Sequence, residues 1–203
     1  MNNFSAKSEY GQEYLDYLRS RGFVRTLVRR LYLRDIRKYC IGRTIDFGCG
    51  IGSLLAMLGE GSIGYDINDV AVTYCRVKGL DVENYSPQMD DYQLNMVPAN
   101  TYVSFTMNHV LEHLENSYLV IKKIFNGCHR LGIKRIVFTV PGSKCYKNDE
   151  THRTFVNKQY FKEHGLLETE FYKLTLSKYF PFNATGVDRY FTHNELRMVF
   201  EKR

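Results

Sequence analysis

The 203-residue sequence predicts an α/β fold: a doubly wound, Rossmann-like, mostly parallel seven-stranded sheet with a C-terminal antiparallel hairpin and N-terminal helices. Three observations predict it. A short apolar strand runs straight into three glycines spaced two apart, Thr44-Ile45-Asp46-Phe47-Gly48-Cys49-Gly50-Ile51-Gly52, and the helical run Ser53–Leu58 follows. From Arg43 onward, short β-rich runs alternate with helical ones, the pattern of parallel strands joined by crossovers. Two long strand-like stretches, 168–179 and 194–202, have no crossover helix between them and are expected to pair antiparallel.

In chain order, residues 5–40 read as two or three helices. Phe23, Val24, Leu27, Val28 and Leu31 recur at helical spacing, with Arg25, Arg29 and Arg30 off that stripe. Tyr10, Tyr14 and Tyr17 sit on the earlier piece. The second strand, Ser62–Tyr65, ends at Asp66, and a helix runs on to Lys78, closed by Gly79. A third strand starts at Leu80. Residues 84–101, punctuated by Pro87 and Pro98, read as a loop or a short irregular helix. Tyr102–Met107 is the fourth strand. A helix over roughly 115–130 follows, with Ile121, Ile124, Phe125, Cys128 and Leu131 inward. Arg135–Val140 is the fifth strand, stopped by Pro141-Gly142. Past a polar loop, Asn157–His164 is a short helix ended by Gly165. Residues 1–42 are expected to form a helical cap on the same domain as 43–203.

Bulk properties narrow the class. An apolar share of 44% with 25% charged residues excludes a disordered or collagenous chain. Apolar runs reach only about six residues, too short to span a membrane, and the polar first ten residues lack the apolar core of a signal peptide. The five cysteines, Cys40, Cys49, Cys75, Cys128 and Cys145, are widely spaced with no Cys-x-x-Cys, as in reduced thiols of a cytoplasmic protein. The net charge of +6 is carried by residues 1–43, with ten Lys/Arg against four Asp/Glu, so the body is neutral. Arg19, Arg21, Arg25, Arg29, Arg30, Arg34 and Arg37 form a solvated basic face or a contact for an anionic substrate.

The glycine turn belongs to a nucleotide-containing cofactor. Glycine allows positive φ and close ligand approach, and Asp66, 18 residues after Gly48, is placed to accept hydrogen bonds from ribose hydroxyls. A dinucleotide site reads G-x-G-x-x-G around a pyrophosphate. Here an acid precedes the first glycine and the third glycine comes one residue early. A carboxylate at Asp46 repels a pyrophosphate and suits a cofactor with a cationic end and an amino-acid tail: S-adenosyl-L-methionine. A nicotinamide oxidoreductase is disfavoured on the same spacing.

Asp46 to Gly52, Asp66 and His109-Val110-Leu111-Glu112-His113 together resemble class I S-adenosylmethionine-dependent methyltransferases, nearest the type 11/23 group. Val137-Phe138-Thr139-Val140-Pro141-Gly142 resembles that group's fifth strand and turn. The resemblance covers about 43–165. It implies that Asp46, Gly48, Cys49, Gly50 and Gly52 line the methionine part, that Asp66 takes the ribose, and that Ile67 packs on the adenine. Val103 stands where the group usually has an acid, and Asn84 is the candidate for the adenine amino group.

Methyl transfer is an in-line displacement whose electrophile the cofactor supplies. The protein orients the acceptor and removes its proton. Asn108, His109, Glu112 and His113 fall at the end of the fourth strand, which faces the ligand crevice in such sheets. His109 is the expected general base. His109, Glu112 and His113 also fall at the positions of a Glu-x-x-Glu-His motif of small-RNA 2′-O-methyltransferases and ubiquinone-pathway O-methyltransferases, with His109 in place of the first Glu. The segment around His152 resembles the place of the small-RNA enzymes' later histidine. The resemblance admits a divalent metal on these four catalytic candidates without requiring it, and no metal site is assigned. Tyr10, Gln12 and Tyr14 are lid candidates, and Asn183, Asp188, Arg189 and Tyr190 are acceptor-contact candidates by position. The expected activity is O-methylation of a hydroxyl on a small polar acceptor, foremost a sugar in glycan biosynthesis. An RNA 2′-O-methyltransferase is the alternative, followed by transfer to a phenol or amine.

Overall fold

The computed structural model describes residues 23–183 and 194–203. Strands β1 (Thr44–Phe47), β2 (Ile63–Asp66), β3 (Val82–Asn84), β4 (Ser104–Asn108), β5 (Arg135–Pro141), β6 (Tyr172–Phe180) and β7 (Glu195–Lys202) form one sheet. Its order is β3-β2-β1-β4-β5-β7-β6. Strands β1 to β5 are parallel, whereas β7 runs antiparallel between β5 and β6. The strand order reverses at β1 and β4, so the crevice beyond their carboxyl ends is the ligand position of a doubly wound sheet.

The helices form where the periodicity puts them, and side chains close their first turns. Helix α1 is Phe23–Arg37 and α2 is Asp69–Val77. Asn68 caps α2, its Oδ1 accepting from the Val70 and Ala71 N–H groups at 2.9 and 3.2 Å. Short α3 is Pro87–Asp90, with proline in its first turn. Helix α4, Ser117–Arg130, is capped by Asn116 and buries Ile121, Ile124, Phe125 and Cys128, with Leu131 just beyond. Each such apolar side chain contributes roughly 1.5–3 kcal/mol on burial. Helix α5 is Ser143–Lys147, and α6, Lys158–Glu163, is capped by Asn157.

Three expectations change. Ser53–Leu58 is not an α-helix but holds a single 3₁₀ turn, Leu55–Met57, ended by extended Leu58. The glycine turn therefore leads into no α-helix N-terminus. Leu31 is 48% exposed. The described face of α1 that packs on the sheet is instead Leu33 and Ile36, against Leu54, Val137 and Val199. The third change is α5, which replaces part of the expected polar loop.

Buried Asp35 on α1 forms an ion pair with Arg197 on β7, which is fully buried. Arg30, Arg34 and Arg37 are exposed and Arg29 is half-buried. Arg37 and Arg43 line a concavity of about 380 Å³ at the opposite, amino end of the strands, away from the crevice. Tyr10, Gln12, Tyr14, Tyr17, Arg19, Arg21, Asp188, Arg189, Tyr190 and the side chain of Arg25 lie outside the described residues. Asn183 is exposed, and its Oδ1 accepts from Tyr179 N–H at 3.0 Å.

Candidate active site

The glycine turn is held by backbone. Gly48 and Cys49 donate to the Tyr65 carbonyl at 2.7 and 3.1 Å, which lashes the end of β1 to β2. Gly48, Gly50 and Gly52 have φ of +74°, +54° and +70°, a region that residues with a Cβ enter at a cost. A Cβ on Gly48 would lie 2.3 Å from Val110 Cγ2, and one on Gly52 2.4 Å from Leu80 Cδ1. Cys49 and Cys75 both direct their thiols at the Gly50 carbonyl, at 3.8 and 3.3 Å.

Asp66 lies beside this turn. Its Oδ2 accepts from Gly50 N–H at 2.6 Å and its Oδ1 from Asn68 N–H at 2.9 Å. Each oxygen keeps a second lone pair for a ligand hydroxyl. Burial raises the Asp66 pKa against these backbone hydrogen bonds. Ile67 is half-buried next to it. Asn84 donates its amide to the Asp66 and Ile67 carbonyls, both at 3.3 Å, which leaves its Oδ1 for a ligand amino group.

Asp46 sits at the carboxyl end of β1. Its pKa is pushed up to about 7 by burial and then by the Asp66 charge, against hydrogen bonds from Leu55 N–H and the Asn108 amide. Its Oδ2 is buried without a partner. Seven such orphaned atoms accompany it at this end of the sheet: Asn108 Oδ1, Glu112 Oε2, Thr139 Oγ1, Asn194 Nδ2, Glu195 Oε2, and Arg197 Nε and Nη2. Only His129 Nδ1 and Arg135 Nε are orphaned elsewhere among the described residues. Register explains the grouping, since Asn108 pairs with Thr139 and Thr139 with Arg197 across β4, β5 and β7. An unpaired buried polar atom costs about 1–3 kcal/mol, so this concentration marks where a polar ligand repays it.

His109 follows β4 with φ +55°, left-handed for a residue with a Cβ. Its N–H is bonded to the Thr139 carbonyl at 2.9 Å. The ring lies between two carboxylates, Nδ1 at 3.0 Å from Glu112 Oε1 and Nε2 at 3.1 Å from Glu195 Oε2. Burial disfavours the charged ring, but Glu195, Tyr32 and the hydrogen bonds donated to both carboxylates outweigh it and raise the pKa well above the ordinary imidazole value. The two flanking carboxylates thus favour the protonated ring. Neither ring nitrogen is without a carboxylate partner. Tyr32 of α1 stands edge-on to this ring at 6.0 Å, and burial raises its own pKa.

A second group adjoins the first. Glu112, His113 and His152 each bring one ligand atom, all within 4.8 Å of one another. His109 is not among them. The tautomers follow from the hydrogen bonds. Thr151 Oγ1 donates to Asp149 Oδ1 at 2.6 Å, so at 3.0 Å it accepts from His113 Nδ1–H. His152 Nδ1–H donates to the Tyr146 carbonyl at 2.8 Å. Both histidines thus keep an Nε2 lone pair, the arrangement that fixes metal-ligating imidazoles. Burial lowers the His113 pKa, which keeps it neutral. Two imidazoles and the Glu112 carboxylate, whose Oε2 is orphaned, fit a divalent cation of the zinc type.

The structure thus brings Asp46, Gly48, Cys49, Gly50, Gly52, Asp66, Ile67 and Asn108 to one crevice, with His109, Glu112, His113 and His152 at the β4 side. The sequence reading missed Glu195, Arg197, Tyr32 and Thr151. Arg197 carried a signal, as a lone charge inside the apolar run Leu196–Phe200.

No family profile and no curated protein matches the sequence. Solved structures do. A SAM-dependent methyltransferase from Archaeoglobus fulgidus is 22% identical, with a TM-score of 0.66 over 95% of this chain and 100% of its own. Magnesium protoporphyrin IX methyltransferase (ChlM) from Synechocystis PCC 6803 with bound SAM is 13% identical, with a TM-score of 0.71 over 100% of both chains. The small RNA methyltransferase HEN1 is 16% identical, with a TM-score of 0.62 over 88% of this chain and 25% of its own. The fold is that of the class I S-adenosylmethionine-dependent methyltransferases.

Proposed function

We propose that this chain is an S-adenosylmethionine-dependent O-methyltransferase acting on a hydroxyl of a small polar acceptor, with a sugar of glycan biosynthesis first in line. The cofactor rests on Asp46, the glycine turn and Asp66. Asp46 faces the methionine end, Asp66 the ribose, and Ile67 and Asn84 the adenine. The observation that carries the acceptor class is the mixed character of the orphaned atoms. Arg197 and Asn194 offer donors, Asn108 and Glu112 offer acceptors, and Thr139 offers both. An anion would leave the acceptors unmet and an amine would leave the donors unmet. A polyhydroxylated ligand, each hydroxyl donor and acceptor at once, meets both sets. His109, Glu112, His113 and His152 border that acceptor. Its five cysteines, none paired with another, accord with a cytoplasmic setting. No helix among the described residues is long and apolar enough to cross a membrane.

Calorimetry with S-adenosylmethionine tests the cofactor, and absence of binding defeats the proposal. Transfer of radiolabelled methyl groups to sugars, RNA and phenols then tests the acceptor.

An RNA 2′-O-methyltransferase is the second reading, favoured by the Glu112-His113-His152 group. Those residues would hold a divalent cation, which when bound supplies Lewis-acid polarisation of an acceptor hydroxyl. Activity that survives exhaustive chelation dismisses the metal, and with it the observation that favours RNA.

A further inference from the structure

We infer that Glu195 is a catalytic residue, the group that receives the proton of the acceptor hydroxyl. This assignment rests on the O-methyltransferase reading above.

The candidates at the acceptor side are His109, Glu112, His113, His152 and Glu195. Both nitrogens of His109 are capped by carboxylates, so the ring turns no free edge to the crevice. Glu112 has no side-chain exposure. One of its oxygens is bound to His109, and it lies in the group with His113 and His152. The Nδ1 atoms of both those histidines are held by Thr151 and by the Tyr146 carbonyl, and the His152 side chain is only 6% exposed.

Glu195 differs. It opens β7 opposite Pro141 at the end of β5, at the same end of the sheet as the glycine turn. Its side chain is 13% exposed, while Oε2 is buried against His109. The exposed part is therefore not Oε2, and Oε1 has no hydrogen bond among the described residues. His109, clamped from behind by Glu112 and set by its left-handed backbone, holds the Glu195 carboxylate by one oxygen and leaves the other without a partner among the described residues.

The step balances. A hydroxyl oxygen lone pair attacks the sulfonium methyl carbon, the O–CH₃ bond forms and the S–CH₃ bond breaks. The bonding pair returns to sulfur to give the neutral thioether of S-adenosylhomocysteine, and the hydroxyl proton passes to Glu195.

The test uses Glu195→Gln, which keeps the shape and the contact to His109 but cannot take a proton. Label transfer from methyl-tritiated S-adenosylmethionine to molar glycerol and to a monosaccharide panel is measured alongside calorimetry with S-adenosylhomocysteine. The expected result is a kcat about 100-fold lower in Glu195→Gln, the low end of the range for removing a general base. Binding of S-adenosylhomocysteine stays within about twofold, and Glu195→Asp lies well above the glutamine variant in kcat. A Gln variant with kcat within about threefold of wild type overturns the assignment, as does an Asp variant no better than Gln, or product affinity lost in step with rate. Wild-type protein that binds no S-adenosylhomocysteine overturns the cofactor reading instead. Wild type that binds it yet labels no hydroxyl overturns the acceptor reading and this assignment with it.

Discussion

At the scale of single residues, burial sets the chemistry. Asp46 keeps its proton up to about pH 7 in the folded chain, against an ordinary value of 3.8. Its folded-state pKa is raised, so the folded form binds the extra proton between those values and stability declines as pH climbs through the window. Asp46→Asn should remove that decline. The variant should gain on the wild type in thermal unfolding as pH rises from 4 to 8, by about 2–4 kcal/mol at the upper end. The cationic cofactor should act oppositely, since ionised Asp46 attracts it. Its affinity should rise with pH through 7 in wild type and stay flat in the asparagine variant, by calorimetry. Among the histidines, burial holds His113 neutral, and hydrogen bonds at Nδ1 orient both His113 and His152, so titration with Zn²⁺ should show one site that His152→Ala abolishes.

At the scale of elements, two contacts make sharp predictions. Helix α1 is tied to β7 by Asp35 and the buried Arg197. Asp35→Ala leaves a guanidinium buried with no partner and should cost about 3–5 kcal/mol in denaturant unfolding. Adding Arg197→Met should recover much of that loss. The glycine turn is the second. Gly52 sits at φ +70°, so Gly52→Ala should cost about 1–2 kcal/mol and weaken S-adenosylhomocysteine binding. These elements also show what was readable. The turn, Asp66 and the α4 stripe carry local signals, namely three glycines, an acid at a strand end, and a 3.6-residue period. The partnership of Asp35 with Arg197 and of His109 with Glu195 carries none. Each spans more than eighty residues and exists only because β7 inserts between β5 and β6. The missing helix after the turn was unreadable for a related reason. Leu54 and Leu55 are drawn into two different core clusters, and that tertiary demand overrides their helical propensity.

For the whole molecule, the uneven charge matters. Residues 43–203 are close to neutral while the N-terminal stretch is strongly basic. A sugar acceptor at the polar end of the sheet should therefore be methylated at a rate nearly independent of salt between about 50 and 200 mM, whereas an RNA acceptor should lose affinity steeply. Initial rates across that range decide between the two proposals. The fold class was legible because alternation of strand and helix is a property of the whole sequence. The proposed acceptor site was not, because its polar atoms come from three strands and the turns beside them, which only the finished sheet aligns.

The place of β7 has a consequence for how the protein comes into being. Its neighbours β5 and β6 are both synthesised before it, yet it lies between them. A nascent chain that has reached Phe180 already carries the glycine turn, Asp66 and His109, but neither Glu195 nor Arg197 exists. The proposed donor residues and most of the proposed acceptor residues are thus encoded early, and only Asn194, Glu195 and Arg197 late. An incomplete polypeptide on the ribosome can gather the parts that grip a cofactor without the parts that would spend it.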